Sequence, residues 1–224
     1  MLKRVLEPEV MNTPEEALAY DAMDHSEVNR QFVADLLSLG PLEGEVLDLG
    51  TGTAQIPIEL CRQCPTVRVM AVDLGEGMLD LARANVEAAG LTERILLDLV
   101  DAKRLSLADD RFAGVISNSL VHHLSEPAFA LAEAVRVTAP GGRIFFRDLL
   151  RPPDDTAVKR LVHQYTGRET EAQQAMFDAS LRAALTLHEI RDLVRALGFD
   201  PLSVRTTSDR HWTWAASIPT RIAQ

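Results

Sequence analysis

Between residues 44 and 150 the chain alternates short apolar runs with longer mixed stretches, and each length predicts a different element. Residues 46–49, 68–72, 94–99, 112–117 and 143–147 are rich in leucine and β-branched side chains and have strand length, the last following a Pro140-Gly141-Gly142 turn. Residues 54–61, 78–89 and 128–138 read as helices, the second stopped by Gly90. Such alternation calls for right-handed crossovers, hence an α/β fold whose parallel sheet is covered by helices on both faces.

The flanks have a different rhythm. Residues 13–38 are helical in pattern, with Thr13 as a cap, Pro14 in the first turn and Glu15 and Glu16 at the positive helix end. A second cap at His25-Ser26 breaks that pattern into two cap helices. Residues 154–185 are polar and helical without a strand, which predicts an inserted lid or substrate subdomain over 151–185. Thr186 and Glu189 resemble a capping start for a helix to Ala196, stopped at Gly198. Strand candidates 202–206 and 211–217 are joined by four residues, too few for a crossover helix, so they should form an antiparallel hairpin. The sum is seven strands in one domain, 1–224, with cap helices at 13–38, a core at 44–150, the lid, and a C-terminal helix and hairpin at 186–224.

Composition narrows the partners. Thirty-three acids against 23 bases give a formal charge of −10, which repels phosphate backbones, and the bases are scattered, so no nucleic-acid partner is expected. Lys3 and Arg4 are not followed by an apolar h-region, and no stretch approaches an uncharged membrane span, so no membrane partner is expected and the chain is read as cytoplasmic. Cys61-Arg62-Gln63-Cys64 lies near the end of a predicted helix rather than at its start, and no second pair completes a zinc set. Its thiols are therefore read as packing and exposure, and no metal site is expected.

The chemistry gathers at the strand ends. Val46-Leu47-Asp48-Leu49-Gly50-Thr51-Gly52 is an apolar strand closing on an acid and a G-x-G turn, ahead of a helix whose N-terminus offers free N–H groups. A G-x-G alone also arises as a structural turn. Here Asp73 ends the second strand, 21 positions after Gly52, where a carboxylate accepts from ribose hydroxyls, and Asp101-Ala102 ends the third, where an acid meets an adenine amino group. Gln55 occupies the place of the third dinucleotide-site glycine, and no Lys-Ser/Thr follows the loop. An adenosine ligand without a pyrophosphate clamp fits these features.

These motifs, with Val72-Asp73-Leu74, Met78-Leu79, Asn118 to Leu124, and Arg136-Val137 before Pro140-Gly141-Gly142, resemble the class I S-adenosylmethionine-dependent methyltransferases over roughly residues 44–150. Ser119-Leu120-Val121-His122-His123-Leu124 resembles the small-molecule branch. Two positions depart from the family pattern: Ala54 replaces a common third glycine, and Ala113 stands where Phe-Asp is usual. The resemblance implies a Rossmann-like sheet whose seventh strand is antiparallel, and S-adenosylmethionine as cofactor, leaving as S-adenosylhomocysteine. It implies that Asp48, Gly50, Thr51 and Gly52 shape the floor under the methionine part, and that Asp73 holds the ribose with Leu74 and Met78 beside the adenine. Asp101 and Ala102 would meet the adenine edge, Asn118 would lie near the sulfonium, and Tyr20 and Arg30 would belong to the cap over the cofactor.

In-line methyl transfer needs alignment and exclusion of water, with a base only where the nucleophile must lose a proton. Candidates for that base are His122, His123, Asp148 and His163. His123 resembles the catalytic histidine of phosphoethanolamine methyltransferases, over which an N-terminal tyrosine closes, a role open to Tyr20. His122 is read as packing, and Asp148 as orienting Arg147 or Arg151. The lid, with His163, Tyr165, Arg168, Met176 and Phe177, should select a small polar or amphipathic acceptor, its reacting atom left open. The competing expectations are a catalytically silent cofactor-binding module that regulates a partner, and an NAD-dependent oxidoreductase, against which Gln55 speaks.

Overall fold

A computed structural model describes residues 2–8, 21 and 25–220. Its seven strands are β1 (Glu45–Leu49), β2 (Arg68–Asp73), β3 (Ile95–Leu99), β4 (Phe112–Asn118), β5 (Thr138–Leu149), β6 (Val204–Thr206) and β7 (His211–Ser217). They form one sheet in the order β3-β2-β1-β4-β5-β7-β6. Pairing is parallel from β3 to β5, while β7 runs antiparallel to both β5 and β6. The tail hairpin is therefore as expected. The sheet order reverses between β1 and β4, the position where an open α/β sheet leaves a crevice beyond its strand ends.

Among the described residues seven α-helices flank the sheet: α1 (Ser26–Ser38), α2 (Gln55–Gln63), α3 (Glu76–Ala88), α4 (Pro127–Val137), α5 (Asp155–Thr166), α6 (Glu171–Ala183) and α7 (Leu187–Ala196). Alternate strand residues separate two cores, as a fully covered sheet requires. Leu47, Leu49, Val72, Phe146, Trp212 and Trp214 face one core, whereas Val46, Val69, Ala71, Ile116, Phe145 and Phe32 of α1 face the other. Capping boxes Thr170/Gln173 and Thr186/Glu189 start α6 and α7. None of these helices is long and apolar enough to cross a membrane.

Three details differ from the sequence reading. Pro140-Gly141-Gly142 does not precede β5 but bulges within it. Thr138 already pairs with Phe112 and the regular register resumes at Gly114 with Arg143, while Gly141, at φ +78°, donates its N–H to Ile218. The first cap helix falls on residues of which 13–20 and 22–24 lie outside the described set. The strand-length stretch 202–206 opens as a 3₁₀ turn, Pro201–Ser203, and only Val204–Thr206 pairs.

The chain start forms a strap. Leu2 N–H donates to Pro153 O, Val5 N–H to Arg182 O, and Arg4 Nε to Ala183 O at 2.6 Å. These bonds lay residues 2–8 along the α5–α6 pair, whose own core is Val158, Leu161, Leu181 and Ala184 under Leu149.

Candidate active site

A cavity of about 610 Å³ opens at the carboxyl ends of β1, β2 and β4 and reaches α5 and α6, a volume typical of small-ligand pockets. One end is backbone-built. Gly50 and Thr51 both donate N–H to Val72 O at 2.9 Å, folding the β1 turn onto β2. Gly50 sits at φ +69°, and a Cβ there would come within 2.8 Å of Leu120, so that glycine lets the β1 turn pack under the β4 loop. Ala54, the departure from the family pattern, takes the left-handed conformation at φ 62° that glycine adopts without strain.

Asp73 secures this end. Its Oδ2 accepts from Gly52 N–H at 2.8 Å and its Oδ1 from Gly75 N–H at 2.9 Å, leaving further lone pairs on both oxygens. Burial pushes its carboxyl up, and those backbone donors pull it partly back. Asp48 is fully buried, which raises it to about 7 against the opposing pull of the Thr51 hydroxyl, with Asp73 adding to the rise. Asp101 accepts Lys103 N–H at 2.9 Å and lies 3.3 Å from its Nζ. Thr51, Gly52, Leu74, Met78, Ala102 and Asn118 also line the cavity, as the sequence reading requires. Acids at three strand ends, apolar Leu74 and Met78 between them, and open lone pairs on Asp73 fit a nucleoside that carries cationic groups.

Arg30 is a correction. It turns to the exterior, pairs with Glu27 at 2.7 Å and is absent from this wall. Its guanidinium is held along its own helix, bonding Ser26 O at 3.3 Å as well as Glu27, instead of reaching over the cavity. Tyr20 lies outside the described residues.

The other end is side-chain-built. His122 Nδ1 lies 2.5 Å from Asp148 Oδ1, and Asp148 Oδ2 accepts from Val121 N–H. Glu7 of the strap places Oε1 at 3.4 Å from His122 Nε2 and 3.2 Å from His123 Nδ1, and accepts from Ser180 Oγ of α6. Arg4 bonds the carbonyls of His122 and Leu124. Burial pulls His122 down, but Asp148 and Glu7 prevail and hold it above its ordinary value. Burial, joined by that neighbouring charge, drives His123 down to about 3. Burial alone would raise Asp148, yet His122 holds it low. His122 is thus no mere packing residue but is hydrogen-bonded to the buried Asp148. Asp148 likewise does not orient the arginines: Arg147 bonds Asp35 and Thr213, and Arg151 bonds Glu189. Tyr165, Met176 and Phe177 reach the cavity from α5 and α6, joined by Arg210 and His211 at the β7 hairpin, whereas His163 and Arg168 do not line it.

Glu7, Arg210 and His211 escaped the sequence reading. Glu7 sits in Leu6-Glu7-Pro8, a segment without periodicity or motif, and only the strap's hydrogen bonds deliver it. Cys61 is buried and Cys64 half-buried at the end of α2, where Arg94 bonds both carbonyls, in keeping with a packing role.

Known proteins carry the same pattern. Residues 46–142 match the family model described as a methyltransferase domain. The chain is 30% identical over 169 residues to a ubiquinone/menaquinone biosynthesis C-methyltransferase of Desulfotalea psychrophila, covering 71% of this chain and 67% of that one. It is 33% identical over 132 residues to a malonyl-[acyl-carrier protein] O-methyltransferase of Methylococcus capsulatus, covering 58% and 47%. About half of that second relative therefore has no counterpart here. A solved S-adenosylmethionine-dependent methyltransferase from Aquifex aeolicus superposes with a TM-score of 0.64 at 19% identity, covering 92% of this chain and 98% of that one. With strand order, glycine turn and strand-end acids in agreement, the chain belongs to the class I S-adenosylmethionine-dependent methyltransferases.

Proposed function

We propose that this methyltransferase acts on a small molecule held between the His122–His123 loop and the α5–α6 pair. The observation that carries the reading is the continuity of one cavity from Asp73 to Tyr165 and Phe177, with an aromatic and apolar lining at the far end. Cofactor and acceptor chambers that communicate directly suit an in-line transfer. The two relatives are named as a C- and an O-methyltransferase, so similarity leaves the acceptor atom of this chain open.

Bound S-adenosylmethionine supplies a methyl group on a sulfonium, a leaving group that needs no acid. The chain's task is placement. Asp73 would take the ribose hydroxyls, Asp48 would balance positive charge, and Leu74 and Met78 would enclose the adenine beside Asp101 and Ala102. Asn118 would direct its amide toward the reacting centre. The segment 151–185 would act as a lid that excludes water. His123 would touch the acceptor, so His123→Ala should lower turnover by about 10²–10⁴-fold while sparing cofactor affinity. That variant separates acceptor contact from cofactor binding.

The overall reading is tested by incubating the protein with methyl-labelled S-adenosylmethionine and a fractionated cell extract. Label in the small-molecule fraction is expected. Label confined to protein or nucleic acid, or tight cofactor binding with no transfer to any fraction, would overturn it.

A further inference from the structure

We infer that Glu7, His122 and His123 form a binding site for a divalent transition-metal ion where the N-terminal strap meets the cavity wall. The donors are one Glu7 carboxylate oxygen, His122 Nε2 and His123 Nδ1, all within 4.8 Å of one another. Glu7 Oε1 stands 3.4 Å from the first imidazole nitrogen and 3.2 Å from the second. Ligands about 2.0–2.1 Å from a tetrahedral ion stand about 3.3 Å apart, so both separations match a shared ion.

The orientation of the rings points the same way. His123 Nδ1 is buried and makes no hydrogen bond, although the carboxylate oxygen is near. The rings lie side by side, with centroids 4.1 Å apart and planes tilted by 34°. His122 directs its other nitrogen to Asp148, the carboxylate–histidine pairing that fixes tautomer and ring angle around bound metals. Charge agrees, since the part-buried Glu7 and the buried Asp148 are two acids beside two imidazoles. Two imidazoles and one carboxylate suit zinc, iron or cobalt rather than magnesium or calcium. The two histidines line the cavity and Glu7 stands behind them, so the ion would fasten the strap onto the wall. The inference does not depend on which acceptor is methylated.

The experiment uses the full chain, stripped with a chelator, dialysed and titrated with Co²⁺ and then Zn²⁺. One equivalent is expected, with a cobalt visible spectrum of nitrogen and oxygen ligation that Zn²⁺ bleaches. Glu7→Gln and His123→Gln should each weaken binding on the order of 100-fold, with circular dichroism reporting their folding. His122 is left intact because its partner Asp148 would be stranded. Cys61→Ser and Cys64→Ser together with His188→Ala should leave the stoichiometry unchanged. Substoichiometric uptake, or undiminished uptake in folded Glu7→Gln and His123→Gln, would overturn the site. Calorimetry with S-adenosylhomocysteine on the stripped protein keeps this outcome apart from any failure of cofactor binding.

Discussion

The two ends of the cavity are made of different materials. Under the cofactor end, main-chain groups do the shaping: Gly50 and Thr51 bond Val72 O, and Asp73 spans Gly52 and Gly75, all at neighbouring strand ends. At the end proposed for the acceptor, Glu7, His122, Asp148, Ser180 and His211 come from five separate stretches of chain and meet only through tertiary packing. A backbone cradle tolerates change in the side chains around it. A side-chain cluster fails when one member is lost, but any member can be exchanged by evolution without unmaking the sheet. Among the proteins similar to this chain one is named a C- and another an O-methyltransferase, in keeping with function residing in sites carried by a shared scaffold.

The sharpest break in the comparison is at Asp73. Two charge-assisted bonds of about 1.5–3 kcal/mol each make Asp73→Ala lose roughly 10²–10⁴-fold in S-adenosylhomocysteine affinity by calorimetry. Unchanged affinity in a folded variant would remove the ribose assignment. Asp148→Ala attacks the other end, where it takes the carboxylate partner from a buried imidazole. A cost of about 3–5 kcal/mol in urea unfolding is expected, against less than half of that if the pair is solvated.

A smaller effect distinguishes the ends by pH. The folded Asp48 carboxyl is raised from 3.8 to about 7, so the apo protein holds a proton there that the unfolded chain releases. Its contribution to stability is accordingly greatest below about pH 4 and is lost as pH rises toward 7. A cationic ligand favours the ionised form, so S-adenosylmethionine affinity should rise about tenfold from pH 6 to pH 8 and flatten in Asp48→Asn. A wild-type profile that is already flat would exclude Asp48 from charge balance. Arg30→Ala should do least, shifting neither cofactor affinity nor stability by more than about 0.5 kcal/mol, because its pair with Glu27 is exposed. A tenfold loss of affinity there would restore it to the cap.

The gathering of the strand-end acids and glycines at one end of the cavity could be read from the chain because its determinants are local. Asp48, Gly50 and Gly52 fall within five consecutive positions, and Asp73 and Asp101 each close an apolar run that marks its own strand. The parallel core followed from the alternation of strands and helices, and the tail hairpin from a four-residue connection, whereas the order of strands is visible only in the structure. Arg30 was placed in the cap by resemblance, which does not show that its side chain is held along its own helix by Glu27 and Ser26 O. Asp148 was assigned to its sequence neighbours, whereas strand alternation turns Arg147 toward Thr213 and aims Asp148 at the β4 loop. Glu7 left no trace at all, since its partners are fixed by a strap without periodicity.

That strap sets an order on the making of the protein. Arg4 binds Ala183 O across a separation of 179 residues, so residues 2–8 find their place only after α6 has been synthesised. At roughly 5–20 residues per second, the delay is about ten seconds or longer. During that interval the sheet can assemble strand by strand while the acceptor chamber stays without Glu7. Residues 2–8 therefore depend on α6 for their place, and a change that loosens the end of α6 would free the strap and Glu7 with it.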